Sequence, residues 1–129
     1  MLFTTKTEYG LKALGFLAKS KLKEPVSLGE ISRQTGISLS YLEQIFSKLK
    51  KGGVVLSLKG ADGGYVLARS AKQINLFDII ESIEGDLEIF YCMANGGCSS
   101  RGCLTKKVWV DLQGTITKTL KKYKLSDLI

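Results

Sequence analysis

The chain has 129 residues, of which 44% are hydrophobic and 24% are charged, and it contains no histidine. This length and composition favour one folded domain, or one domain with an appended element, over a disordered chain. The sequence contains no run of about 20 consecutive apolar residues, the length that a membrane helix needs, and its first residues do not resemble a signal peptide. We therefore expect a cytoplasmic protein with no membrane partner.

The net charge of +7 is spread unevenly along the chain. Residues 1–70 contain eleven Lys and Arg against five Asp and Glu, a net charge of +6, whereas residues 71–129 contain eight against seven, a net charge of +1. A basic half favours an anionic partner, most often nucleic acid. A lysine-rich surface that only keeps the protein soluble is the alternative that charge alone leaves open.

The first 50 residues are predicted to form helices separated by short breaks. Apolar residues at helical spacing predict a helix from Thr5 to about Lys19. Gly36 is predicted to end a short second helix. Three capping boxes, in which a Ser or Thr and a Glu three residues later satisfy each other's backbone N–H groups, mark the expected helix starts. These boxes are Thr5–Glu8, Ser27–Glu30 and Ser40–Glu43.

The third predicted helix has two different faces. The apolar residues that we expect to face inward are Leu42, Ile45, Phe46 and Leu49. The polar and basic residues that fall largely on the other side are Gln44, Ser47, Lys48, Lys50 and Lys51. This helix follows the second one after a short glycine-containing turn, so the pair is typical of a helix-turn-helix.

The period changes to that of strands after this helix. Two short strands, Val54–Leu58 and Tyr65–Ala68, flank a glycine-rich turn and predict a β-hairpin. A helix is predicted over residues 75–84, and a long last helix over about residues 104–123, with an apolar stripe that includes Trp109. The apolar end of the chain is expected to dock on another part of the protein. The expected fold is mainly α, with a winged helix-turn-helix whose wing is the small β-hairpin.

A helix with an exposed polar face, followed by a hairpin, favours DNA binding, because an α-helix fits the major groove, where side chains distinguish all four base pairs. The candidate DNA contacts are Ser38, Ser40, Tyr41, Glu43, Gln44, Lys48 and Lys59. Glu43 is also a good capping residue, and Lys59 is also compatible with an ordinary solvated loop. Winged domains also mediate protein contacts, so the fold alone does not prove DNA binding.

All three cysteines, Cys92, Cys98 and Cys103, lie within twelve residues of a glycine-rich segment. This clustering favours metal or redox chemistry over a structural disulfide in a reducing compartment. Three is an incomplete ligand set, because tetrahedral zinc and iron–sulfur clusters usually have four ligands. An iron–sulfur cluster, a zinc ion and a reversible disulfide are the alternatives. A small electron carrier is a remote fourth, and nothing in the sequence favours an enzyme.

Three segments resemble the IscR/NsrR family of iron–sulfur transcriptional regulators: residues 37–49, the wing Lys59–Tyr65 and residues 103–109. The resemblance implies a homodimer whose long C-terminal helices cross and whose winged domains bind a partly palindromic double-stranded DNA site. It implies that Ser40, Glu43 and Gln44 face bases and that Lys59, where the family often has arginine, enters the minor groove. It also implies that the three cysteines hold a cluster, either [2Fe-2S] or [4Fe-4S].

The resemblance also bears on the missing fourth ligand. One branch of the family uses a histidine three residues after the last cysteine, where this chain has Lys106, and a lysine ammonium has no lone pair for iron. Another branch uses a carboxylate near the N-terminus, supplied by the partner subunit, and Glu8 occupies that position. The alternative role for Glu8 is the capping box with Thr5.

These observations predict three segments and one function. Residues 1–72 are expected to form the DNA-binding winged helix-turn-helix, residues 73–103 the connecting helix and cysteine loop, and residues 104–129 the dimerisation helix with a docked tail. The expected function is a dimeric, sequence-specific DNA-binding regulator whose affinity is set by the cluster in response to redox state, iron–sulfur status or nitric oxide. A cluster-free regulator that uses thiols or zinc is the alternative.

Overall fold

The computed structural model of the chain describes residues 3–20, 24–61, 63–87 and 104–129. These residues form five α-helices and one two-stranded antiparallel hairpin, which confirms the predicted fold class. In chain order the elements are α1 (Thr5–Lys19), α2 (Leu28–Thr35), α3 (Leu39–Lys51), β1 (Val55–Leu58), β2 (Gly64–Leu67), α4 (Leu76–Glu84) and α5 (Lys106–Lys122), with short 3₁₀ turns at Ala71–Gln73 and Leu125–Leu128. None of the described helices is long and apolar enough to cross a membrane.

One hydrophobic core connects the first four helices and the hairpin. The predicted inward face of α3 is confirmed, because Leu42, Ile45, Phe46 and Leu49 are all completely buried. Helix α4 contributes Ile79 and Ile83, and α1 contributes Ala13, Leu14 and Leu17. Burial of this apolar surface supplies the main favourable free energy of folding, and it fixes α3 with its polar face outward.

The first predicted capping box is wrong. Helix α1 is capped by Thr4, whose hydroxyl accepts a hydrogen bond from the backbone N–H of Lys6. The predicted cap, Thr5, is already the first helical residue. The Glu8 carboxylate instead lies 3.9 Å from the Lys12 ammonium, one turn further along the same helix. The capping role that competed with metal ligation by Glu8 is therefore not seen.

The second predicted box is right in its cap only, and the third is wrong. Ser27 caps α2 and accepts from the N–H of Glu30, but the Glu30 carboxylate bonds to Arg33 and Gln34 instead of closing the box. Hydrogen bonds from Arg33 and Gln34 lower the pKa of Glu30 below its ordinary value. Helix α3 begins earlier than predicted, because Ser38 is its N-cap and Ser40 lies inside the first turn.

A second short backbone pairing joins the hairpin to the segment just before α2. β1 and β2 pair in antiparallel register, with Val55 opposite Leu67 and Leu58 opposite Gly64. Val26, just before α2, exchanges two backbone hydrogen bonds with Tyr65, at 3.0 Å and 2.8 Å. A Cβ on Gly64 would overlap the backbone of Val26, so this close approach requires glycine.

The end of the chain docks beside the start of α4, as predicted for the apolar tail. The backbone N–H of Leu125 donates to the Ile74 carbonyl at 2.8 Å, and the N–H of Leu76 donates to the Tyr123 carbonyl at 3.0 Å. The Leu125 side chain is completely buried. The core thus includes residues from all three predicted segments, and the proposed division at residues 72 and 103 stays a prediction.

Helix α5 packs on the rest of the described chain along one side only. Its half-buried residues include Trp109, Ile116 and Leu120, and the ammonium of Lys121 lies 4.8 Å from the centre of the Phe77 ring of α4. No residue of α5 is fully buried. Part of the predicted apolar stripe therefore faces outward.

Candidate DNA-binding face and cysteine site

The outer face of α3 carries most of the predicted DNA contacts. Ser38, Ser40, Glu43, Gln44 and Lys48 are exposed, and Tyr41 is half-buried. Burial of the apolar face forces this arrangement, because residues three and four apart lie on the same side of a helix. The face is therefore available to the major groove of a duplex.

The two ends of α3 differ in charge. The N-terminal turn is uncharged and exposes hydroxyl groups, while the last turn carries Lys48, Lys50 and Lys51. Lysine near a helix C-terminus is favourable because it offsets the negative end of the helix dipole. These lysines are also suited to phosphate contacts, which orient a protein on DNA without reading its sequence.

Lys48 has a second contact that the sequence did not predict. Its ammonium donates to the backbone carbonyl of Ile83, in the last turn of α4, at 3.4 Å. Lys48 is still exposed, so its predicted phosphate contact stays a prediction. The contact also joins α3 to α4.

Lys59 follows β1 and is exposed at the turn of the hairpin. The turn continues through Gly60, which has a φ of +124° that L side chains rarely adopt. Gly63 donates a backbone hydrogen bond to the Gly60 carbonyl at 3.0 Å. The position is compatible with the predicted minor-groove contact, which remains a prediction.

Sequence reasoning missed Tyr9 of α1 as a support for the DNA-binding face. Tyr9 contacts Tyr41 in an edge-to-face arrangement, with ring centroids 5.4 Å apart and an interplanar angle of 82°. Such aromatic pairs contribute about 0.5–1.5 kcal/mol beyond their buried area. Tyr9 is half-buried, and the spacing of apolar residues along α1 cannot identify its partner in another helix.

Glu8 lies on the outer side of α1. About 64% of its side-chain surface is exposed, so its carboxylate is accessible to another molecule. It borders an open groove of about 450 Å³ between α1 and the end of the chain. The residues that line this groove are Glu8, Leu11, Lys12, Gly15, Phe16, Lys19, Leu128 and Ile129.

The predicted cluster ligands Cys92, Cys98 and Cys103 all lie outside the described residues. Within the described parts of the chain, no three Asp or Glu side chains are grouped so that they could hold a metal ion. The described residue just before the cysteine segment is Leu87, whose side chain is 4% exposed. Its carbonyl accepts from the Gln113 side-chain amide of α5 at 2.9 Å, so the entrance to this segment is held against α5.

The sequence of nearly the whole chain matches one family model. Residues 3–129 match the Rrf2 model, which is described as an iron-dependent transcriptional regulator. The chain belongs to the Rrf2 family. It is thus a transcriptional regulator with a winged helix-turn-helix, and the family that its sequence resembles is confirmed.

Individual Rrf2 proteins show the same similarity. The HTH-type transcriptional regulator IscR of Cronobacter sakazakii is 38% identical over 130 residues, which cover 100% of this chain and 80% of that protein. The structure of T. potens IscR matches with a TM-score of 0.74 and 37% identity, over 97% of this chain and 83% of that one. The structure of CymR, the global cysteine regulator of B. subtilis, matches with a TM-score of 0.79 and 32% identity, over 98% and 94%.

Proposed function

We propose that this Rrf2 protein is a dimeric, sequence-specific DNA-binding regulator whose operator affinity is set by an iron–sulfur cluster on Cys92, Cys98 and Cys103. The observation that carries the DNA-binding part is the exposed polar face of α3, held next to the hairpin by a fully buried apolar face. A cytoplasmic location, where a regulator of this kind would meet DNA, is part of the proposal.

The exposed apolar residues of α5 support the dimer. Val108 is 58% exposed, Val110 and Leu112 are also exposed, and Leu104, two residues before the helix, is 95% exposed. Burying such residues against a second helix is favourable by roughly 25 cal/mol per Å² of apolar surface. A dimer through α5 would place two α3 helices on one DNA duplex, where successive major grooves are about 34 Å apart.

Cysteine chemistry supports the cluster. Thiolates are the usual ligands of iron–sulfur clusters, and the three cysteines are separated by five and four residues in a segment that contains three glycines. A bound cluster would supply a centre that reacts with oxidants or nitric oxide. Either [2Fe-2S] or [4Fe-4S] is compatible with this ligand set.

The exposed position of Glu8 supports its role as the fourth ligand. Its carboxylate is not used as a helix cap and is paired only loosely with Lys12, at 3.9 Å. A carboxylate is a harder ligand than a thiolate and binds iron less firmly. Ligation by Glu8 of the partner subunit would make the cluster labile and would tie its presence to the dimer.

The test of the proposal is operator binding with and without the cluster. Protein purified without air is expected to contain iron and acid-labile sulfide, and removing the cluster is expected to change operator affinity by about 5- to 150-fold, the usual range of allosteric coupling. Quantitative footprinting at fixed salt measures the change. Equal affinities and identical footprints for the two forms would contradict the proposal.

Replacing Glu8 with alanine tests the fourth ligand. We expect a shifted visible absorption band and faster loss of the cluster in air, because one iron loses a protein ligand. Lys12→Ala is the matched control, since it removes the partner of Glu8 without removing a ligand. An unchanged absorption band in the Glu8 variant would exclude Glu8 as a ligand.

A cluster-free thiol switch is the second candidate, and the similarity to Staphylococcus aureus CymR, whose structure is known in an oxidized form, supports it. In that case the cysteines would form a reversible disulfide or bind zinc. Metal analysis separates the candidates, because the thiol switch predicts no acid-labile sulfide. It also predicts that oxidant changes operator affinity in protein that contains no iron.

A further inference from the structure

Three consecutive residues at the end of α4 contact α1 or the end of α3. Ser82 packs against Gly52, the residue after α3, so closely that a Cβ on Gly52 would overlap its side chain. Ile83 packs against Gly10 of α1 in the same way. Glu84 bonds to the start of α1. The last turn of α4 is therefore in direct contact with both α1 and the recognition helix α3.

The Glu84 carboxylate accepts three hydrogen bonds from the first residues of α1. They come from the Thr4 backbone N–H at 3.2 Å, from the Thr4 hydroxyl, and from the Thr7 hydroxyl at 3.0 Å. Thr7 is 6% exposed, so its hydroxyl has little access to water. Hydrogen bonds to a charged acceptor are stronger than those between neutral groups.

Helix dipoles explain why the Glu84 carboxylate, at the end of α4, interacts with the start of α1. An acidic residue at the C-terminus of its own helix meets the negative end of that dipole. Helix α4 has no basic residue in its last turn to compensate. The same carboxylate lies at the N-terminus of α1, where negative charge is favourable. Glu84 thus favours an arrangement in which the end of α4 stays at the start of α1.

Helix α1 also contacts the start of α3, the recognition helix. Tyr9 lies little more than one turn after Thr4, and its ring contacts Tyr41, in the first turn of α3. The Tyr41 backbone N–H donates to the capping hydroxyl of Ser38 at 3.3 Å. A shift of α1 would therefore act on the turn that presents Ser38 and Ser40 to DNA.

We propose that Glu84 is a positioning residue for operator recognition, whose carboxylate couples the last turn of α4 to the first turn of α3 through α1. Cys92 follows Glu84 by eight residues in the sequence. If a change at the cysteines displaces the end of α4, the Glu84 hydrogen bonds transmit that displacement to α1 and then to Tyr41. The regulatory part rests on the function proposed above.

The first test compares Glu84→Gln with Glu81→Gln. Glu81 is an exposed residue of the same helix, so both variants lose the same charge, and only Glu84→Gln also replaces an oxygen that accepts a hydrogen bond from α1 or its cap. We expect Glu84→Gln to lower the ratio of operator affinities between cluster-loaded and cluster-free protein by about fivefold or more. Glu81→Gln is expected to keep the wild-type ratio. A wild-type ratio in a folded Glu84→Gln protein overturns the proposed relay.

The second test needs no cluster, so it separates this proposal from the proposed function. Hydrogen exchange of the cluster-free protein is measured at the backbone amides of Tyr41 and Leu42. Glu84→Gln is expected to speed their exchange by about tenfold, a change that corresponds to about 1.4 kcal/mol of local opening, while Glu81→Gln leaves it unchanged. If Glu84→Gln speeds hydrogen exchange in α1 but not at Tyr41 and Leu42, the coupling from Glu84 to α3 is overturned. This conclusion holds whether or not the cluster changes operator affinity in the wild-type protein.

Thr7→Val is the second variant if Glu84→Gln does not fold. It removes one hydroxyl donor to Glu84 and keeps the shape of a buried side chain. The expected change has the same direction as in Glu84→Gln and is smaller. A normally folded Thr7→Val protein with wild-type exchange at Tyr41 overturns the coupling as well.

Discussion

Phe46→Ala is expected to lower the free energy of unfolding by about 3–5 kcal/mol, the usual cost of removing a buried phenylalanine ring. Phe46 is completely buried in α3. Its ring meets that of Tyr65 in the wing, with centroids 5.0 Å apart and an interplanar angle of 62°. The substitution therefore removes core packing and the contact between recognition helix and wing. Urea denaturation followed by circular dichroism measures the change.

The matched control is Leu39→Ala in the same helix. Leu39 is 46% exposed, so its removal should change the free energy of unfolding by no more than about 0.5 kcal/mol. Both variants introduce alanine into the same helix. The difference between their free energies of unfolding therefore reports mainly how deeply the original side chain is buried. Equal free energies of unfolding for the two variants would contradict the burial of the Phe46 ring against Tyr65 of the wing.

The inward face of α3 could be predicted because periodicity is a local property. Apolar residues three and four apart define one side of a helix wherever the helix lies in the fold. The same reasoning located the polar side, with Gln44 and the lysines of the last turn. Which DNA group each side chain contacts depends on a partner, and no pattern within the helix contains that information.

The N-cap residues of α1 and α3 could not be predicted, because neighbouring hydroxyl residues compete for that position, although the predicted first helical residue of α1, Thr5, is correct. Thr4 and Thr5 are equally good caps by residue type. Thr4 caps α1 and also bonds to Glu84, eighty residues later in the chain. Before α3, Ser38 follows Ile37, which is buried and whose carbonyl accepts from the Ser32 hydroxyl at 2.6 Å. Tertiary contacts therefore decide which residue becomes the cap.

Glu84 shows what sequence reasoning missed at the candidate site. The helix over residues 75–84 was predicted correctly, with Gly85 after it. An acidic residue at the C-terminus of a helix is unfavourable, and this was an available signal that Glu84 has a partner elsewhere. The signal does not identify the partner, because Thr4 and Thr7 are brought close only by the packing of α1 on α4.

Gln44→Ala is expected to weaken operator binding by about 1–3 kcal/mol, which is roughly 5- to 150-fold. Gln44 is exposed in the middle of the outer face of α3, and a glutamine amide pairs with the edge of adenine through two hydrogen bonds. Its loss should relax the base preference at one position of each half-site. Binding to a set of operators with single base changes measures this, at one fixed salt concentration.

Lys50→Ala provides the contrast that separates base reading from electrostatic attraction. Lys50 is exposed in the last turn of α3 and is expected to contact a phosphate. Its removal should weaken binding to every operator equally and reduce the slope of log affinity against log salt by about one. Gln44→Ala should leave that slope unchanged, because no phosphate contact is lost. If Gln44→Ala instead lowers affinity uniformly across operators, the residue does not read a base, and the orientation of α3 in the groove must differ from the one proposed.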